Sequence, residues 1–129
     1  MIYLDTSVAL AHLLAEDHRP PARLWQELLV SSRLLQYELW TRIHSRGLAG
    51  THGDAARALL GQIALLEMVP EVLGRALEVF PVEVRTLDAL HLTSLHFLHS
   101  QGQPAALATY DARMGAAARR LGFEVYELG

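Results

Sequence analysis

Asp5, Glu38, Asp88 and Asp111 are the residues whose types and placing could do chemistry together. Asp5 closes the opening run Ile2-Tyr3-Leu4, and Asp111 follows an apolar run ending at Thr109. Each stands just past the end of an expected strand, and in an open α/β sheet ligands gather beyond those carboxyl ends if the strands are neighbours. Glu38 and Asp88 lie instead in very apolar helical stretches, Leu34-Leu35-Gln36-Tyr37-Glu38-Leu39-Trp40 and Thr86-Leu87-Asp88-Ala89-Leu90-His91-Leu92. Neither stretch gives its acid a polar stripe, so each is a candidate buried or cleft carboxylate. A lone buried carboxylate tends to take up a proton, and two unpaired ones ~4 Å apart repel by roughly 4 kcal/mol at an effective dielectric near 20. A shared divalent cation relieves both problems. Oxygen-only ligands suit a hard ion, Mg2+ or Mn2+, that keeps several waters for substrate phosphates. Singly, each acid has an ordinary reading: Asp5 and Asp111 as helix caps, Glu38 as the partner of Arg42 four residues on, Asp88 as a first-turn charge facing the helix dipole. The four together, one per strand end or apolar helix, favour a site.

Composition narrows the chemistry from the other side. The chain has no Cys and no Lys, and all 11 of its basic residues are Arg. Disulfides, Cys–zinc and iron–sulfur sites, thiol nucleophiles, P-loop lysines and Schiff bases are thereby excluded. The all-Arg usage, beside a Leu-, Ala- and Gly-heavy composition, is read as a reflection of genomic base composition rather than of function. With 129 residues, 51% of them hydrophobic and 19% charged, the chain suits one globular domain spanning residues 1–129. A net charge of −3 argues against a nucleic-acid binder that works by an overall positive field, while leaving local Arg clusters open. The opening residues carry no basic leader and no run is long enough for a membrane span, so the expectation is a cytoplasmic protein with no membrane role.

The elements that must position these acids alternate. Ile2 to Leu4 reads as a strand, followed by a helix from Val8 to Ala15 capped by Thr6 or Ser7. Pro20-Pro21 opens a second helix to about Glu27, Leu28 to Val30 is a buried strand, and Ser31 or Ser32 caps a long helix from Arg33 to Arg46 closed by Gly47. A helix over Thr51 to Leu65, a brief strand Leu66 to Val69 and a helix Pro70 to Phe80 follow. The Thr86 to Ser100 helix, the strand Ala105 to Thr109, the helix Ala112 to Leu121 and a final strand Phe123 to Leu128 complete the chain. Repeated strand–helix units imply an α/β fold, a mostly parallel central sheet flanked by helices.

Taken in order, the motifs resemble those of PIN-domain nucleases, and more narrowly the VapC-type toxins of toxin–antitoxin pairs. Tyr3-Leu4-Asp5-Thr6-Ser7 resembles that family's first acidic motif, and Ser31-Ser32 with Glu38 its second. Arg85 to Leu92 is similar to the third, and Ala108-Thr109-Tyr110-Asp111 with Ala117-Ala118 and Leu121 to Val125 to the fourth. The resemblance covers the whole chain, with Thr93 and Met114 as mild departures in packing positions. It implies a PIN-like fold and an Mg2+- or Mn2+-supported endoribonuclease whose acidic cluster is Asp5, Glu38, Asp88 and Asp111. Thr6 and Thr109 match hydroxyl positions near the metal. It also implies an RNA substrate, a homodimer, and a small antitoxin whose C-terminal segment covers the acids.

RNA phosphates would then need local arginines. Arg42 lies one turn from Glu38 on the same face, and Arg85 and Arg113 stand near Asp88 and Asp111; the alternative for each is a solvated or internally paired side chain. His91, one turn from Asp88, is placed either to hydrogen-bond a ligand carboxylate or to pack in the core. A zinc site built from the helix's histidines is disfavoured, since Asp88 and His99 are about 16 Å apart along its axis. Trp25, Tyr37 and Trp40 are core or interface aromatics, or base-stacking ones. Two other classes compete with the nuclease: a catalytically silent PIN-like scaffold or protein-binding module, and phosphotransfer, which lacks its lysine and its second Asp two positions after Asp5.

Overall fold

The chain, described for residues 1–129 by a computed structural model, forms four strands and six α-helices. The strands are β1 (Ile2–Leu4), β2 (Leu29–Ser32), β3 (Ile63–Leu66) and β4 (Ala106–Ala108). They pair in the order β3-β2-β1-β4, every neighbouring pair parallel. The helices are α1 (Thr6–Leu13), α2 (Arg33–Ser45), α3 (Ala49–Leu60), α4 (Pro70–Arg75), α5 (Thr86–Ser100) and α6 (Ala112–Arg120).

Period-2 alternation along the central strands divides the core in two. Ile2 and Leu4 of β1 and Ala108 of β4 face one side, where they pack with Leu35, Leu39 and Ile43 of α2 and with residues of α1 and α3. Tyr3 and Leu107 face the other, against Leu92, Leu95 and Leu98 of α5 and Met114, Ala117 and Ala118 of α6. Helices therefore cover both faces of the sheet. β1 sits where the strand order reverses, with β2 on one side and β4 on the other. A crevice outside the carboxyl ends of β1 and β4 is thus the expected ligand position in such a sheet.

Several boundaries differ from the sequence reading. The Pro20–Glu27 segment forms only a 3-10 turn, Ala22–Gln26, because a residue before proline avoids the α region and Pro21 is itself extended at ψ 148°. The second strand runs Leu29–Ser32, leaving Leu28 exposed, and Ser32 both ends it and caps α2 by accepting from Leu34 N. α3 stops at Leu60 and β3 begins three residues before the expected Leu66, since Ile63 pairs with Leu29 and is buried there. Pairing overrides the helical pattern. α4 stops at Arg75 rather than Phe80; Gly74 weakens its last turn, and Phe80 folds back under the Arg75 guanidinium, 4.7 Å away. The final strand is reduced to a single bridge, Leu107 with Val125. β4 has three residues, two of which direct their backbone groups towards β1, so Leu107 alone offers an N–H and a C=O outward, and both are used, to Glu124 and from Tyr126.

Leu107 is fully buried between the sheet and α5 and α6. Leu107→Ala is expected to cost about 2–5 kcal/mol of stability through the cavity it leaves. Urea unfolding followed by circular dichroism reads this, and a loss under about 1 kcal/mol would mean that the second core is not packed as described.

Candidate active site

Asp5 is the first residue beyond β1 and is 5% exposed. It occupies the N-cap position of α1, yet its side chain makes no capping bond. Instead Oδ2 accepts from two hydroxyls, Ser7 Oγ and Thr109 Oγ1, each at 2.7 Å. Thr109 is the first residue past β4, so this carboxylate ties the two strand ends together. Both hydroxyls are oriented in turn: Ser7 Oγ accepts from Tyr110 N and Thr109 Oγ1 from Asp111 N, each at 3.0 Å.

Glu38 reaches the same region from the middle of α2. Its Oε1 accepts from His91 Nε2 at 2.6 Å and from Thr6 Oγ1 at 2.7 Å. His91, on α5 and 1% exposed, meets the Tyr3 hydroxyl at Nδ1, 2.8 Å away. An ionised carboxylate only accepts, so Nε2 carries a proton and donates to Glu38, while Nδ1 meets the Tyr3 hydroxyl. Burial raises the Tyr3 phenol far above its ordinary value and keeps its proton in place. For Glu38, burial pushes upward, but the His91 hydrogen bond and charge and the Thr6 hydroxyl outweigh it, and its pKa falls below the usual value.

Asp88 lies in the first turn of α5. Its pKa is raised, first by burial and then by the negative charges of Asp5, Asp111 and Glu38, with only His91 opposing. Asp111 caps α6, Oδ1 accepting from Arg113 N at 2.9 Å and Met114 N at 3.3 Å. The fold thus brings Asp5, Glu38 and Asp111 within electrostatic reach of Asp88, although no three of the four converge closely enough to cage an ion unaided. Glu38 pairs with His91 and not with Arg42; His91 bonds the carboxylate on α2 rather than Asp88 on its own helix.

The three arginines border these acids and are exposed. Arg42 shares a cleft of about 350 Å³ with Glu38, and Arg85 and Arg113 line a crevice of about 100 Å³ with Asp88. The arginine–carboxylate ion pairs of the molecule use other residues, Arg33, Arg57 and Arg75. Two contributors escaped the sequence reading as site residues: Ser7, seen as a cap and within a motif, and Tyr3, seen only within that motif. Both stand two residues from Asp5, and for Tyr3 that spacing in a strand signals a shared face.

Compared with known families, residues 2–120 match the model of the PIN domain. The chain belongs to the PIN-domain family. It is 31% identical to ribonuclease VapC47 of Mycobacterium tuberculosis, over 95% of this chain and 93% of that protein. To ribonuclease VapC46 of the same species it is 33% identical, over 96% of this chain and 95% of the other. The resemblance drawn from the motifs is therefore sound at the level of the whole chain, and the four-stranded parallel sheet is this family member's α/β core. No helix is long and apolar enough to cross a membrane.

The two shifted acids give opposite pH signatures. A raised Asp88 pKa means that its neutral form favours the fold; that contribution is complete below the ordinary carboxylate range and is lost as pH rises through the folded value. Asp88→Asn should therefore stabilise the metal-free chain at pH 7, by up to about 1 kcal/mol after solvent screening of a half-exposed group, with no gain below about pH 4. Glu38 contributes above its ordinary range and loses that contribution as pH falls through its lowered value, so Glu38→Gln should lower Tm at pH 7 and converge on the parent in acid. Thermal melts in EDTA across pH read both signs, and a destabilised Asp88→Asn at neutral pH contradicts the crowding of these carboxylates.

Proposed function

We propose that this chain is a metal-dependent endoribonuclease, the toxin of a toxin–antitoxin pair, which hydrolyses RNA phosphodiester bonds in the crevice at the ends of β1 and β4. The carrying observation is Asp88: a part-buried carboxyl crowded by three others, with only a histidine offsetting them. The ribonuclease names of the two relatives support the same activity.

The donor set fits a hard divalent cation. Oδ2 of Asp5, Oε1 of Glu38 and Oδ1 of Asp111 are committed to internal hydrogen bonds. The oxygens beyond those bonds, together with both of Asp88, are the ones that would hold Mg2+ or Mn2+. Such an ion takes one or two carboxylates directly and meets the rest through water. When bound, it would supply an activated water and positive charge opposite the leaving oxygen.

The chain's own groups do the positioning. Ser7 and Thr109 fix the plane of Asp5, while His91 and Thr6 hold Glu38 ionised and aimed from α2. α1, α5 and α6 all begin at this crevice, and the positive ends of the longer helices favour phosphate there. Arg42, Arg85 and Arg113 are the phosphate contacts on its rim. On this reading residues 1–129 act as one nuclease domain in the cytoplasm, as a homodimer held inactive by a small antitoxin protein that covers the acids.

Asp5→Asn and Asp88→Asn should each reduce cleavage of a defined RNA panel by at least about a hundredfold in Mg2+ or Mn2+, with circular dichroism unchanged. EDTA should abolish cleavage by the parent chain. Asp111→Asn is the sharpest variant, because Asn caps a helix as well as Asp does and only the carboxylate charge is lost. Cleavage that survives in both the Asp5 and Asp88 variants overturns the assignment.

A further inference from the structure

The outward stripe of α2 does something that the acids alone do not explain. Tyr37, Trp40, Thr41 and His44 follow one another at helical spacing i, i+3, i+4, i+7, and with Gln36 they line an open cleft of about 460 Å³. Tyr37 is 62% exposed, an unusual position for a large ring on a chain with ample core. Trp40, half-buried in the same cleft, has the Arg57 guanidinium 5.2 Å from its ring and His44 at 5.7 Å, tilted by 30°. Tyr37 and Thr41 also line the adjoining cleft that contains Glu38, Arg42 and Leu87, the last 46% exposed. Tyr37 and Thr41 therefore form a shared ridge, with aromatic, amide and imidazole edges in the cleft on one side and an exposed cation and a carboxylate of the acidic site in the cleft on the other.

We propose that this α2 groove is a nucleobase subsite, in which a base of single-stranded RNA next to the cleaved bond stacks on Tyr37 against the Trp40 wall while its phosphate meets Arg42. The inference rests on the ribonuclease reading and adds where the substrate strand lies. A stacked ring suits any unpaired base because every base has a π face, whereas paired bases inside an A-form helix cannot reach the groove. Gln36, Thr41 and His44 supply donors and acceptors for the base edge, so modest base preference arises here and not at the acids. A peptide segment would also find apolar surface in the groove. An exposed ring on a ridge that also borders Arg42 and Glu38 favours a ligand that alternates flat ring and phosphate, which a peptide does not.

The test compares binding of a labelled single-stranded RNA of about ten nucleotides, and of the same RNA carrying abasic residues, to the full chain in an Asp88→Asn background that does not cleave. Adding Tyr37→Ala is expected to weaken binding of the intact RNA by about tenfold, while Tyr37→Phe keeps parental affinity. The abasic RNA should bind the Tyr37-containing chain about as weakly as the intact RNA binds the Tyr37→Ala chain, and Tyr37→Ala should no longer distinguish the two RNAs. Equal affinity of Tyr37→Ala and its parent for intact RNA, or an equal loss on both RNAs, overturns the subsite; so does a Tyr37→Ala chain that loses only the capture of a protein partner. If the unmodified chain cleaves RNA while any of these holds, the subsite alone fails. A chain that neither binds nor cleaves RNA overturns the ribonuclease reading along with it.

Discussion

Mutual repulsion of carboxylates at the ends of β1 and β4 is the constraint to which the rest of the structure answers. Each acid is managed by a different device. Asp5 receives two hydroxyls, Glu38 a buried imidazole and a hydroxyl, and Asp111 two backbone N–H groups at the start of α6. Hydrogen bonds to the charged form lower the cost of keeping it charged, and the opening turns of the helices that begin here add partial positive charge. Asp88 receives the least help, and its pKa is raised first by burial and then by the charges of its neighbours.

The devices draw on every layer of the fold. Thr6 and Ser7 come from α1, Thr109 from the end of β4, and His91 from α5, itself bonded to Tyr3 of β1. Tyr3 is part of the second hydrophobic core, between Leu92 and Leu107, so the packing that stabilises the sheet also fixes the imidazole that aims Glu38 across from α2. Loss of core order on the α5 and α6 side would be felt first as a loosened Glu38. Stability and the site share atoms here, and the two cannot vary independently.

The acids, the two central strands and the long helices α2 and α5 were legible in the sequence, because strand-end position, an apolar helical setting and Gly or Ser boundaries are local signals. So was the prominence of His91, though not its partner: helical spacing pointed to Asp88, whereas the long-range approach of α2 gives it Glu38. Ser7 and Tyr3 were missed for a similar reason, since a hydroxyl's role depends on which strand lies beside it. The β3 register and the reduction of the last strand to one bridge depend on pairing partners far along the chain, whereas α4 ends early for the local reasons of Gly74 and the Phe80–Arg75 contact. Periodicity within a ten-residue window holds no record of the distant partners. Pro20-Pro21 was a local signal misread, because the second proline constrains the residue before it as firmly as it favours a helix start.

The net charge of −3 first looked like an argument against RNA. Setting aside the four acids of the crevice leaves 11 basic against 10 acidic residues among the 14 acids of the chain, an almost neutral surface with Arg42, Arg85 and Arg113 gathered at the crevice rim. A silent scaffold would have little use for this distribution. It would gain by neutralising Asp88, whose charge works against the fold, and by covering Tyr37 and Leu87, whose exposure costs solvation. Charge and exposed rings retained side by side at the same edge of the sheet are intelligible together only if something outside the chain satisfies both. On the proposed reading, a phosphate-bearing strand with unpaired bases, brought in with a divalent ion, would meet the carboxylates through the ion, the arginines through its phosphates and the rings through its bases.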